Sequence, residues 1–211
     1  MYCNTLFRNE LLIPIYITKT VGGLDAQFKL APELRLKYNT DKIKASNPRL
    51  AAVLVLFYPN ENNETTFLLT ERASYKGTHS AQISFPGGKV DTSDINMQAT
   101  ALREAAEEVG LHIKPAAVFK EITPVYIPPS NFLATPFLAF VSEKPKFRIN
   151  YEVENTIEVL LEDLLNEGSL SKVNLTTSYM ANVDVPCFKL NGYVVWGATA
   201  MMLSEIKELL K

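Results

Sequence analysis

Cysteine is scarce in this sequence: Cys3 and Cys187 stand far apart in a chain of 211 residues. They form no CxxC or other metal-ligand spacing, so the expected thiols are reduced and structural or incidental. An excess of either charge is missing too. The chain has 21 Lys and Arg against 23 Asp and Glu, a formal net charge of −2. No basic field is present to attract nucleic acid or an anionic membrane. An anionic small molecule stays compatible, because a metal ion or a few local cations can neutralise it. Long hydrophobic runs are also lacking: a stretch such as Ala51–Tyr58 is far too short to span a bilayer. The first residues do not show the basic, apolar, small-residue order of a secretory signal. The expected compartment is the cytoplasm, with no membrane partner.

What is present is the composition of an ordinary soluble protein, 47% hydrophobic and 21% charged. The length suffices for one sizeable core and at most two modest ones. Residues 1–47 are mixed in character and carry no chemistry that the sequence names. Ala51–Tyr58 is a continuous run rich in β-formers, closed by a turn at Pro59–Asn63, and Thr66–Glu71 reads as a second strand. Tyr75–Lys89 reads as loop, broken by Gly77 and by Pro86-Gly87-Gly88. A helix is expected from about Ile95 to Val109. Its apolar face carries Ala99, Leu102, Ala105, Ala106 and Val109, and Glu104, Glu107 and Glu108 lie on the other. N-caps are available at Asp91–Asp94, and Gly110 suits the C-terminal end. Val118–Val125 and Phe132–Val141 read as strands around an Ile127–Asn131 turn, and Thr156–Leu165 reads as a second helix. Pro186–Leu190 and Tyr193–Trp196 suggest a hairpin around Asn191-Gly192, and Ala198–Leu210 an amphipathic closing helix. No repeat, low-complexity segment or dividing linker interrupts the chain. A single α+β domain over 1–211 is the simplest account, with 1–47 an N-terminal extension of open role.

The chemistry concentrates in one helix. Glu104, Glu107 and Glu108 stand at i, i+3 and i+4, so their carboxylates cluster. Like charges at i, i+4 repel by roughly 0.2–0.5 kcal/mol in an isolated helix. A hard divalent cation such as Mg²⁺ or Mn²⁺ reverses that penalty by taking carboxylate oxygens. Spacing alone leaves a merely solvated acidic face as the alternative.

The residues around that helix resemble a known pattern. Arg103-Glu104-Ala105-Ala106-Glu107-Glu108-Val109-Gly110-Leu111 is similar, at every fixed position, to the second half of the box that defines Nudix hydrolases. The first half departs: Gly88 to Arg103 is one residue longer than the general box, and the first acid is Asp94 or Asp91. Gly87-Gly88-Lys89-Val90-Asp91, Asp94 and Thr100–Ala105 together resemble the version found in the coenzyme A pyrophosphatase subfamily. Leu68-Leu69-Thr70-Glu71-Arg72-Ala73 and Phe85-Pro86-Gly87-Gly88 resemble that subfamily's second motif at the correct spacing. Gly77 replaces an expected arginine and Ala81 an expected glycine, and Trp196–Ala200 is similar to the subfamily's closing segment.

The resemblance implies a Nudix-like α/β/α sandwich with a mixed sheet and a loop–helix–loop catalytic motif at about residues 85–111. It also implies Mg²⁺ or Mn²⁺ on Glu104, Glu107, Glu108 and the Gly87 or Gly88 carbonyl, and a water that attacks phosphorus. The implied activity is hydrolysis of coenzyme A to 3′,5′-adenosine bisphosphate and 4′-phosphopantetheine. A Nudix pyrophosphatase for ADP-ribose or dinucleotides, or an inactive nucleotide-binding Nudix domain, are the alternatives. Glu104 is the candidate general base from the helix, and Glu152 a further candidate acid whose alternative is a surface charge. Arg103 is read as pointing away from the carboxylates and pairing with Asp94 or Asp91. Arg72 is either a phosphate clamp or a surface ion pair. Lys76 could supply the charge missing at Gly77. His79 lies in the segment implied to meet coenzyme A, or is structural. His112 is read as incidental and Trp196 as core or interface. A homodimer is a possible assembly, on the general prevalence of twofold dimers.

Overall fold

The computed structural model describes residues 22–73 and 82–211. Cys3, Lys76, Gly77, His79 and Ala81, and with them the readings made of those positions, lie outside the described residues.

The longest apolar run of the sequence becomes the centre of the sheet. Strand β1 (Arg49–Pro59) pairs in parallel with β7 (Phe132–Phe140), from Arg49 opposite Phe132 to Phe57 opposite Phe140. Its side chains alternate between two apolar clusters. Val55 and Phe57 join one, while Ala52, Leu54, Leu56 and Tyr58 join the other. A strand buried on both faces needs apolar residues at every position, which is why the run shows no alternation. Burying a side chain such as Leu54 or Leu56 contributes about 1.5–3 kcal/mol.

The remaining strands build a mixed sheet outward from that pair. Strand β2 (Thr65–Arg72) lies antiparallel to β1, followed by β3 (Ile83–Ser84), while β4 (Gly87–Lys89) pairs with the start of β1. On the other side, β5 (Val118–Glu121) and β6 (Val125–Ile127) pair with β7. Strand β8 (Val153–Leu160) runs antiparallel to β2. A second, three-stranded sheet holds β9 (Leu170–Thr177), β10 (Met180–Leu190) and β11 (Tyr193–Trp196). Between the last two, Asn191 and Gly192 take φ of 50° and 81°, the left-handed pair that a two-residue hairpin requires.

Three short helices, α1 (Gly23–Phe28), α2 (Glu33–Leu36) and α3 (Thr40–Ala45), precede the sheet. Helix α4 (Met97–Val109) covers one face through Ala101, Ala105 and Val109. The closing helix α6 (Gly197–Leu210), after the one-turn α5 (Leu161–Leu165), covers the other through Ala200, Leu203 and Ile206. The expected α/β/α sandwich with a mixed sheet is therefore what forms. Residues 23–31 are integral to it. Glu205 of α6, 4% exposed, accepts hydrogen bonds from Gly23 N (3.0 Å), Gln27 Nε2 (2.8 Å) and Thr123 Oγ1 (2.8 Å), tying α1 to the core.

Several local expectations are corrected. Thr156–Leu160 is strand rather than helix, because Ile157 and Val159 are buried alternately against β2, and only Leu161–Leu165 turns helical. Ile83–Ser84 and Gly87–Lys89 are strands within the expected loop. The helix starts at Met97, with Asn96 Oδ1 accepting from Ala99 N at 2.8 Å, so none of Asp91–Asp94 is its cap. Gly110 closes it at φ 71°, as expected.

Candidate active site

The site begins with two glycines that no other residue could replace without displacing a neighbour. Strand β4 lies against β1 with Gly87 opposite Val53 and Gly88 opposite Ala52. Gly87 has φ 157°, and a Cβ there would run into the Ala52 carbonyl oxygen and the Val53 backbone. A Cβ on Gly88 would fall 2.5 Å from the Glu104 carboxyl carbon. The absence of side chains thus lets α4 lay its acids directly on the strand.

Glu108 Oε2 accepts a hydrogen bond from Gly87 N at 3.0 Å, and the residue is 7% exposed. It therefore lies on the inner side of α4, beside Val109, and not on the face opposite the apolar residues, where the helical wheel put it with Glu104 and Glu107. Burial pushes its carboxyl up to about 7, against the Gly87 hydrogen bond and Arg72, with Glu104 and Glu152 adding to the rise. Burial also raises Glu104; Arg103 opposes the shift and Glu107 and Glu152 reinforce it. Arg103 does not point away from these acids. Its Nη1 donates to Glu104 Oε1 at 2.8 Å and lies 3.3 Å from Glu107 Oε2. Its Nε and Nη2 form a fork on Asp94 at 2.9 and 3.0 Å, and Nη2 also donates to the Lys89 carbonyl. A guanidinium has donors enough for both tasks. Of the two loop acids, Asp94 takes the fork, while Asp91 accepts from Ser93 N and Oγ.

Arg72, at the end of β2, meets Glu152 at 3.2 Å because β8 runs beside β2 and Ala73 N donates to the Glu152 carbonyl. Both side chains are a third or more exposed, so the pair contributes at most about 1 kcal/mol. Arg72, Gly87, Gly88, Glu104, Glu107, Glu108 and Glu152 all line one cavity of about 910 Å³. Trp196, half-buried, also lines it and is not core. His112 is exposed and does not. Arg35, Arg49, Tyr126 and Phe132 line it too, although no sequence pattern marked them.

Among the described residues, no three acid, histidine or cysteine side chains form a closed donor set for a metal ion. The hydrogen bonds explain this: Arg103 holds Glu104 and Glu107, and Gly87 N holds Glu108. The donor chemistry nonetheless fits a hard cation. Mg²⁺ keeps several waters and needs only one or two carboxylates from the protein, and here burial, with neighbouring carboxylates adding to it, raises the proton affinity of Glu104 and Glu108 in a shared cavity.

The close approach gives a test. Gly88→Ala is expected to fold but to lose activity by about 10²-fold, because the new methyl must push the Glu104 carboxylate off its position by about 1 Å. Thermal melts and kcat measured together check it; unchanged turnover would show that the Glu104 position is immaterial.

Comparison with known proteins agrees with the fold. The NUDIX domain family matches residues 48–171. Nudix hydrolase 15, mitochondrial, of Arabidopsis thaliana is 29% identical over 191 residues, covering 88% of this chain and 65% of that protein, so this chain spans a little under two thirds of that relative. An uncharacterized Nudix hydrolase, NudL, of Yersinia pestis is 27% identical over 204 residues, covering 95% of this chain and 98% of the relative. A MutT/nudix family protein from Enterococcus faecalis shares the fold, with a TM-score of 0.53 and 17% identity over 82% of this chain and 68% of that one. Since the family match takes in more than half of the chain and the whole glycine–carboxylate site, this protein belongs to the Nudix hydrolase family.

Proposed function

We propose that this Nudix pyrophosphohydrolase cleaves the pyrophosphate linkage of coenzyme A or its derivatives, giving 3′,5′-adenosine bisphosphate and 4′-phosphopantetheine. The observation that carries the reading is a juxtaposition. The two sequence segments that resemble the coenzyme A subfamily, Leu68–Ala73 and Phe85–Gly88, come together through the β2–β3 pairing of Thr70 with Ser84. Both contribute to the cavity that Glu104 and Glu108 line, through Arg72 and Ala73 on one side and Phe85, Gly87 and Gly88 on the other.

When bound on Glu104, Glu107 and Glu108, Mg²⁺ or Mn²⁺ supplies neutralisation of the diphosphate and a lowered pKa for water. The chain does the rest. Gly87 N orients the Glu108 carboxylate, and Arg103 orients Glu104 and Glu107. Glu104, raised by burial, is the residue we assign to take the proton of the attacking water. Arg72 spends one contact on Glu152. A phosphate group competes for the same guanidinium, whose fork of N–H groups donates to two of its oxygens and releases Glu152 toward the cavity.

The test is a hydrolysis panel of coenzyme A, acetyl-coenzyme A, ADP-ribose and NADH with Mg²⁺ and a chelator control. The expected result is chelator-sensitive cleavage with kcat/KM for the coenzyme A compounds at least about tenfold above the others. Preference for ADP-ribose or NADH would overturn the substrate assignment while leaving the metal chemistry in place.

A further inference from the structure

The cavity has a second end whose chemistry the pyrophosphate reaction does not use. On β1, Arg49, Ala51 and Val53 share the face that lines it, and on β7 Phe132 and Ala134 sit beside Arg49 and Ala51. The floor between the ends is therefore made of small side chains. Arg49 precedes Ala52, the partner of Gly88, by three residues, about 10 Å along the strand. Its guanidinium carbon stands 4.1 Å over the Phe132 ring, and Nη2 donates to the Ser130 carbonyl at 2.7 Å.

Arg35, on α2, lines the same end and is 4% exposed. Its Nη1 donates to the Tyr38 carbonyl at 2.8 Å, its guanidinium carbon lies 5.2 Å from the Phe28 ring centre, and its buried Nε has no hydrogen-bond partner. Among the described residues no carboxylate pairs with Arg35 or with Arg49. A guanidinium taken out of water without a counter-charge is costly, and aromatic faces and one carbonyl offset only part of that cost. What this end lacks is an anion.

We propose that Arg35 and Arg49 bind a phosphomonoester on the substrate, about 10 Å along β1 from the glycine–carboxylate centre. Identification of that group as the 3′-phosphate of a coenzyme A-type adenosine rests on the function proposed above; the anion site itself does not. Each guanidinium fork matches phosphate geometry, and the flat Phe132 ring behind Arg49 fixes that one in place.

The experiment titrates coenzyme A and dephospho-coenzyme A, which differ only by this phosphate, into the full chain in chelator, where turnover is suppressed. Inorganic phosphate is the second probe, read as a shift in melting temperature. Wild type is expected to bind coenzyme A about tenfold or more tightly than the dephospho form, the scale of one or two charge-assisted hydrogen bonds. Arg49→Gln, at an exposed residue, is expected to abolish that preference and the stabilisation by phosphate. Arg35→Lys, which keeps the charge but not the fork, should reduce both. No preference in wild type, or a preference that survives Arg49→Gln, overturns the proposal. If neither coenzyme binds but phosphate still stabilises wild type and not Arg49→Gln, the coenzyme A reading fails and the anion site stands.

Discussion

Glu108→Gln is expected to lower kcat by about 10²–10³-fold, the scale of removing one preorganised electrostatic group from a site, while making the metal-free protein more stable. The opposed signs follow from one environment. The amide matches the carboxylate in shape, and its oxygen can still accept from Gly87 N, so the strand–helix contact survives. What disappears is a negative charge held at 7% exposure. Because burial raises the Glu108 carboxyl from 4.5 in the unfolded chain to about 7, the folded state binds the proton more tightly in that interval. The associated stability is fully present below about pH 4.5 and is lost as pH rises through about 7, with an upper bound of about 3 kcal/mol. Wild type in chelator should therefore melt several degrees lower at pH 8 than at pH 5.5 relative to Glu108→Gln, on a scale of about 2–4 °C per kcal/mol for a chain of this size. Divalent metal should restore wild type at pH 8 and do less for the variant. Melts across pH with and without Mg²⁺, alongside kcat, check each part. A variant at wild-type rate would remove Glu108 from the reaction, and a variant less stable than wild type at pH 8 would show that the buried charge is not a burden.

How much of this could be read from the sequence depends on where each signal resides. Helix α4 was legible because its apolar spacing and Gly110 are local, and β1 because eight consecutive apolar residues rich in β-formers admit few other fates. Strands Ile83–Ser84 and Gly87–Lys89 were not, since they are only two and three residues long and exist by pairing with β2 and β1, and the second carries glycine where propensity expects valine. Strand β9 alternates only between exposed and half-buried residues, with Val173 and Leu175 its sole apolar side chains on the inner face, so its period-two signal was weak. Thr156–Leu165 was read as a helix, although its acidic load weakened that reading, and the buried alternation of Ile157 and Val159 gains its meaning only when β2 is seen beside it. Within the site, the wheel put Glu108 on the face opposite the apolar residues, since no helix projection anticipates a backbone N–H from another strand. Arg35 and Arg49 carried no pattern at all, being brought to the cavity by short helices and a strand end that only the tertiary fold relates.

Arg103→Ala is expected to reduce both stability and rate, and the two losses have separate origins. Arg103 meets Asp94 through two nitrogens, and the Asp94 side chain is only 4% exposed. Asp94 also accepts from Thr100 Oγ1 and from Asp91 N, so it cannot turn toward water without undoing the loop between β4 and α4. Removing the guanidinium leaves the Asp94 carboxylate with neutral donors and no cation; because Arg103 is itself 28% exposed, water replaces part of the contact, so the cost is about 1–3 kcal/mol and the melting temperature should fall by roughly 5 °C at this chain length. The Arg103 contact holds the Asp94 carboxyl well below the usual carboxylate range. The stability it contributes is thus present above the unfolded value of about 3.8 and is lost as pH falls below it. The gap in melting temperature between wild type and Arg103→Ala should accordingly be widest near neutrality and shrink in acid. The rate falls for the second reason: Glu104 and Glu107 lose the donor that holds them. Arg103→Lys separates the two. A single ammonium can keep charge near Asp94 but cannot fork onto it while also reaching Glu104, so it should recover part of the stability and little of the rate. Turnover lost in Arg103→Ala at an unshifted melting temperature would refute the structural half of this account and leave Arg103 a residue of the reaction alone.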